Sequence, residues 1–292
     1  MPVNKLELRS QIAPAALSRG LVEAGFVGAL AETDSGRVTT WFELADTLRL
    51  AQTIACFLLQ DWLFAFIEQR LQALYGFLDD EEREYVALLT FHALRKERDA
   101  TRDHVVDSVA EMVRSALLDA SERNLPLSID ALVRFRLRTS LQSVEQAVTT
   151  MVDQFLSDRE YEEFVAMLRY MLDQQPAREQ ELHVFCADER VWICDAEGTL
   201  VRDDEVSTAA AAASEGHEVN GEDLAMSILI TRSPCKIVIH DITYAAPWPS
   251  FSETVERVFL ERAERCRDCS TCSRLLAAGT DRPHLADAPE GN

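Results

Sequence analysis

The chain has 292 residues, 47 % of them hydrophobic, which is enough to bury a real core and too many for a disordered polypeptide. Its 50 acidic and 29 basic residues leave a net charge of −21. That field repels phosphate backbones and anionic lipid, so neither a broad nucleic-acid-binding surface nor a membrane surface is expected as a partner. A protein partner or self-association is the expectation instead.

The opening residues, MPVNKLELRS, hold no charged segment followed by an apolar stretch, so nothing there reads as a signal peptide. Seven cysteines without such a signal point to a reducing, cytoplasmic setting. Residues 5–10 alternate and read as a strand, and a short helix over about Ala13 to Ala24 follows. Phe26 to Ala31 and Arg37 to Phe42 read as two further strands joined by a turn at Asp34-Ser35-Gly36. Residues 1–45 thus form a small β-α-β-β unit.

Residues 46–176 read as a helical region. Asp46 is placed to cap a long helix running to about Tyr75. Its stretch from Leu50 to Ile67 is the most apolar of the chain. Gln52, Thr53, Gln60 and Asp61 interrupt it, so it reads as a core helix rather than a membrane span. Asp79 to Glu82 crowd the start of the next helix, where negative charge suits the helix dipole. A third helix carries Val105, Val109, Met112, Val113 and Leu117. After Pro126, Ser128 caps a helix on which Leu137, Leu141, Val144, Val148, Met151 and Phe155 recur at steps of four and three. Those residues make one apolar seam, available to a partner helix. Arg134, Arg136 and Arg138 lie at the head of that seam, with Arg134 and Arg138 one turn apart. A further helix places Tyr161, Phe164, Val165, Leu168 and Met171 on one face and ends at Pro176.

Residues 177–278 change period and read as an α/β region. Leu182 to Ala187 and Val191 to Asp195 form a hairpin, with Leu200-Val201 extending it. Asp203 to Gly221, acidic and alanine-rich, reads as a mobile loop. Asp223 to Thr231 is helical. Lys236 to His240 is nearly continuously apolar, the pattern of a strand buried on both faces. Ser252 caps a last helix. Residues 279–292 read as a disordered tail. The fold class is therefore α+β and predominantly helical, with small β-sheet elements near both ends of the chain. The terminal strands are expected to share one sheet, because an isolated hairpin is barely stable.

Phe135-Arg136-Leu137, Val148 to Phe155, Glu160 to Phe164, Leu168-Arg169-Tyr170, Glu181 to Val184, and Asp223-Leu224 through Lys236 to His240 together resemble the YtxC-like family. Its members are described as sporulation proteins of endospore-forming bacteria. The resemblance runs from about Leu127 to the C-terminal cysteines. It implies a sporulation context and carries no catalytic signature, so no active-site residue is transferred.

The sharpest chemical signal is Cys266-Arg267-Asp268-Cys269-Ser270-Thr271-Cys272, in which two C-x2-C steps share the central cysteine. Such spacing lets thiolates converge on one metal, zinc or an iron–sulfur cluster. A fourth ligand does not follow directly. Cys235, Cys186, Cys194 and His284 are the distant candidates. The plainer alternative is that the last helix simply continues and places the three cysteines on one face. Cys186 and Cys194 flank the hairpin turn and read as small core residues. His240, at the end of a strand, is a candidate general base for an unrecognised enzyme. No phosphate loop, zinc-protease or nucleophile-elbow motif is present. A non-enzymatic protein acting through contacts is the first expectation, with metal binding by Cys266, Cys269 and Cys272 the second.

Overall fold

In a computed structural model the chain is described at all residues except 1–2, 33–35, 100–101, 189, 203–205, 207, 209–219, 244–247, 268 and 278–292. The acidic alanine-rich loop and the tail expected from sequence lie largely outside the described residues. The architecture is α+β and predominantly helical. The chain divides into two compact units, residues 1–158 and 159–292.

The first unit opens with β1 (Val3–Arg9), α1 (Pro14–Glu23), β2 (Val27–Glu32) and β3 (Arg37–Glu43). A two-residue strand β4 (Leu127–Ser128) completes a sheet of order β2-β3-β1-β4. β1 runs antiparallel to β3 and parallel to β4. Gly36, at φ +62°, closes the turn; a Cβ there would lie 2.4 Å from the Ser10 carbonyl oxygen, so only glycine fits. The alternation of β1 and β3 buries Leu6, Leu8, Val38, Thr40 and Phe42 beneath α1 and the following helix.

That helix is α2 (Thr47–Phe57), continued through one π-turn (Leu58–Trp62) into α3 (Leu63–Leu74). Asp46 holds the N-cap position, but its carboxylate accepts from Arg49 rather than from the backbone. The π-turn sets Trp62 so that its indole N–H donates to Asp130. Among the described residues the stretch Leu44–Leu74 alone is long and apolar enough to cross a membrane, and half of its apolar window is buried in the protein.

α4 (Asp80–Asp99), α5 (Arg102–Arg123) and α6 (Ile129–Arg136) follow, the last capped by Ser128. The helical backbone breaks at Leu137, so Arg134 and Arg138 do not share a continuous helix face. α7 (Arg138–Asp173) then joins the two helices expected separately into one of 36 residues. Nothing between Phe155 and Tyr161 breaks a helix, since no proline or glycine intervenes. Val144 and Val148 of the seam, with Val152 beside them, are buried in one cluster with Leu63, Ile67 and Leu71 of α3 and Val86 of α4, and Met151 and Phe155 are partly buried against it. The seam is internal packing within the first unit.

The second unit takes α7 from Arg159 onward and adds β5 (Glu179–Ala187), β6 (Arg190–Asp195), α8 (Gly221–Arg232), β7 (Pro234–Asp241), α9 (Phe251–Phe259), β8 (Ala263–Arg265) and α10 (Ser270–Ala277). Its sheet has the order β6-β5-β7-β8, with β5, β7 and β8 parallel. The terminal strands therefore build two separate sheets rather than the single one expected. Each sheet recruits enough local strands to need no partner from the other end.

β7 is not buried equally on both faces. Ile237 and Ile239 are fully buried, together with Leu182 and Val184 of β5, against α8, α9 and the end of α7. Lys236, Val238 and His240 point to the opposite face. α9 is capped by Ser250, not Ser252, through a capping box with Glu253. Ser252 instead donates to Asp241 at 2.6 Å.

Candidate metal centre

The pleat of the second sheet gathers one set of side chains on the face away from the aliphatic core. In the β5–β7 register Glu181 lies beside Lys236, His183 beside Val238 and Phe185 beside His240. β6 adds Trp192 opposite Phe185 and Cys194 opposite His183. Phe185 stacks on His240 with ring centroids 4.2 Å apart and on Trp192 at 5.3 Å. Those contacts hold the imidazole plane of His240, which is 4 % exposed.

β8 delivers the cysteines to the same place. Ile239 pairs with Arg265, and the Cys266 N–H donates to the Ile239 carbonyl at 2.8 Å. Cys266 and His240 thus leave the carboxyl ends of adjacent parallel strands side by side. The chain then turns, and α10 begins at Ser270 with Cys272 buried in its first turn. The last helix does not continue through the cysteines. α9 stops at Phe259, where Leu260 takes a positive φ of 51°, and β8 intervenes.

The Sγ atoms of Cys266, Cys269 and Cys272 and a ring nitrogen of His240 lie within 4.8 Å of one another. His240 Nδ1 is 3.1 Å from Cys272 Sγ and 3.6 Å from Cys269 Sγ. Cys269 and Cys272 sulfurs are 3.6 Å apart, and Cys272 and Cys266 sulfurs 4.0 Å. Ala187, Ile242 and Trp192 pack around the thiols. On the far side of the imidazole, His240 Nε2 is 2.9 Å from His183 Nδ1, and His183 Nε2 is 3.1 Å from a Glu181 carboxylate oxygen.

The proton affinities follow from these surroundings. Burial, and then the neighbouring His183, push the His240 pKa below the usual imidazole value, favouring a neutral ring with one free lone pair. The backbone N–H of Cys272 donates to Cys269 Sγ and lowers that thiol to about 7. Burial raises Cys272 to about 12, and its hydrogen bonds with the Cys269 and Cys266 thiols, in which it keeps its proton, add to the effect. Cys269 is thus the first of the pair to become a thiolate, which is the form that ligates metals.

The three cysteines singled out by spacing come together. The fourth member is His240, which the sequence marked as a candidate base and not as a ligand. Cys186 lies on the opposite, core face, where burial lifts its pKa to about 12. It pairs with Val191, so it does not face Cys194 across the hairpin. Cys194 stands on β6, with β5 between it and β7, and lies outside the four-donor group. Cys235 is exposed at the opposite end of β7. His284 lies outside the described residues. All seven cysteines are free of disulfides. Glu181 and His183 join the site through the period-two alternation of β5, a signal present in the sequence but readable only once the β5–β7 register is known.

A helical α+β protein with a Cys3His cluster at the carboxyl edge of a small sheet is the class that fold and site define. The sequence pattern of the YtxC-like family matches residues 48–264, about three-quarters of the chain. The chain belongs to that family. The match begins well before the resemblance noted from Leu127 and stops just short of Cys266, so it includes His240 and leaves out the three cysteines. No curated protein and no solved structure matches.

Proposed function

We propose that the second unit binds a single zinc ion through Cys266, Cys269, Cys272 and the Nδ1 atom of His240. The observation that carries this reading is the mutual spacing of the four donors. A tetrahedral ion with bonds of about 2.3 Å to sulfur and about 2.0 Å to nitrogen sets its ligands roughly 3.5–3.8 Å apart. The measured sulfur separations of 3.6 and 4.0 Å and nitrogen–sulfur separations of 3.1 and 3.6 Å bracket that range. An iron–sulfur cluster spreads its four ligands over two or four iron atoms, so they do not all converge on one point as this set does.

Four protein donors fill a tetrahedral ion, the pattern of a structural rather than a catalytic zinc. The role inferred is a clasp. Three ligands come from the seven residues Cys266 to Cys272, which follow directly on β8, a strand that pairs with β7 over only three residues. The ion would tie that segment to β7, and its binding free energy would count as folding free energy. Thiolates held in this way suit a reducing cytoplasm.

For the protein as a whole we infer a non-enzymatic role through protein contacts in the sporulation setting that the family name suggests. The buried seam does not support a partner helix. Phe164, Met167, Tyr170 and Met171 of α7, between 42 % and 67 % exposed, are the apolar side chains that favour a contact.

The test is elemental analysis of untagged protein purified under reducing conditions, with Cys269→Ser, His240→Ala, Cys235→Ser and Cys194→Ser beside the wild type. About one zinc per chain, lost in the first two variants and kept in the last two, is the expected result. A folded wild-type protein without metal, and unable to take up zinc, would overturn it.

A further inference from the structure

We infer that His183 is a positioning residue: together with Glu181 it fixes the tautomer of His240, so that the Nδ1 lone pair, not an Nδ1–H, faces the three thiols. This deepens the zinc reading and rests on it for its purpose, though the tautomer itself can be read without metal.

A neutral imidazole has one N–H and one lone pair, and the partner of one nitrogen decides the state of the other. Glu181 sets the polarity of the chain. Its Oε2 lies 3.3 Å from the Lys236 ammonium, which also pairs with Glu264 at 2.7 Å. A carboxylate beside an ammonium is ionised and can only accept. The His183 nitrogen facing Glu181 Oε1 at 3.1 Å is Nε2, so Nε2 carries the proton. In a neutral ring Nδ1 of His183 is then a lone pair. His240 Nε2 stands 2.9 Å away and must donate to it. That leaves Nδ1 of His240 bare, at 3.1 Å from Cys272 Sγ and 3.6 Å from Cys269 Sγ.

The reverse polarity would aim a lone pair of His183 at a carboxylate, or would require a charged ring next to His240. A 180° flip of the His240 ring would keep its stack on Phe185 but would put carbons where Nε2 meets His183 and Nδ1 meets Cys272, losing both contacts. The register supplies the geometry. Glu181, His183 and Phe185 alternate along one strand, and His240 faces them from the next. Carboxylate–histidine–ligand chains of this kind orient metal ligands and raise their basicity, and losing the outer member typically weakens metal affinity about 10–100-fold.

The experiment uses full-length protein with nitrogen-15 histidine, in mildly alkaline reducing buffer where imidazoles are neutral. Two-bond proton–nitrogen correlations identify the tautomer of each ring. Metal-free wild type should show Nε2–H on both His183 and His240. Zinc affinity, measured by competition with a chromogenic chelator, should fall about 10–100-fold in His183→Leu. It should recover largely in His183→Asn, whose amide oxygen can accept from His240 Nε2. An Nδ1–H on His240 in the metal-free wild type would overturn the inference, and that measurement stands even where His183→Leu fails to fold. Wild-type zinc affinity in a folded His183→Leu would also overturn it while leaving the zinc site intact. The expected tautomers in a chain that takes up no zinc would sustain the relay and overturn the zinc reading alone.

Discussion

His240 Nδ1 and Cys272 Sγ stand 3.1 Å apart although 32 residues separate them in the chain. That approach exists because β7 and β8 are parallel neighbours, joined by the crossover helix α9, and release their carboxyl ends at one place. The four-donor cluster is therefore as stable as the pairing of a three-residue strand, unless an ion holds it. The expectations below follow from that dependence and from the faces assigned to each element.

If the cluster holds zinc as proposed, removing the ion should loosen the segment after Phe259 before anything else. A strong chelator added to loaded protein is expected to raise amide exchange in residues 263–277 and to lower the melting temperature. Exchange across β5 and the first half of β7 should change little. Equal exchange with and without chelator would argue that β8 holds without the ion.

The two faces of β7 should differ sharply in cost. Ile239→Ala removes a fully buried side chain and is expected to destabilise the protein by about 2–5 kcal/mol in urea unfolding. Val238→Thr, half-buried on the opposite face, should cost well under half of that. Similar losses at both positions would mean that β7 has no distinct core face.

The start of α9 offers a test with a pH sign. Ser250→Ala removes the capping side chain and should cost about 1 kcal/mol. The Glu253 carboxylate is held below its ordinary 4.5, chiefly by the Ser250 backbone N–H, with the Ser250 hydroxyl adding to it. A lowered carboxylate pKa gives stability that is present above the unfolded value and fades as pH falls through the folded one. Glu253→Gln should therefore be less stable than wild type near neutrality, with the gap closing below about pH 4.5. Urea midpoints at several pH values will show whether it closes.

The seam and the exposed row of α7 should respond in opposite ways. Val148→Asp puts an unpaired charge among Leu71, Val86 and Val152 and is expected to cost about 3–5 kcal/mol. Met167→Asp, at 52 % exposure, should leave stability within about 0.5 kcal/mol while weakening any association made through that face. Circular dichroism melts and light scattering on both variants separate folding from association. A mild Val148→Asp would show that the seam is not core.

Much of the fold was legible in the sequence because it is written in local terms. Alternation marked β1, β3, β5 and β6, and spacing of apolar residues marked α2 to α7. The break at Leu137, the π-turn at Leu58–Trp62 and the cap at Ser250 were not legible, since each depends on which backbone groups find partners in the folded chain. The sequence pattern suggests two helices where α7 runs unbroken past Phe155, because a change in which residues face inward resembles a helix end. The spacing sets Phe164 and Met171 on one face with Val165 and Leu168, yet Phe164 and Met171 are exposed, and Leu172 is buried with Val165 and Leu168 instead.

What the sequence determined by itself is the helical α+β class, the family pattern, and three cysteines at metal-ligand spacing, all properties of residues near one another in the chain. What the tertiary structure alone decided is the fourth donor. His240 outranks Cys186, Cys194 and Cys235 because the side-chain direction of a strand residue is fixed by its parity, and its neighbours are fixed by register. Parity turns Cys186 into the core, position leaves Cys235 at the wrong end of β7, and strand order leaves Cys194 on β6 with β5 in between. Among the described candidates, His240 is the one that reaches the carboxyl edge on the face where β8 delivers the thiols.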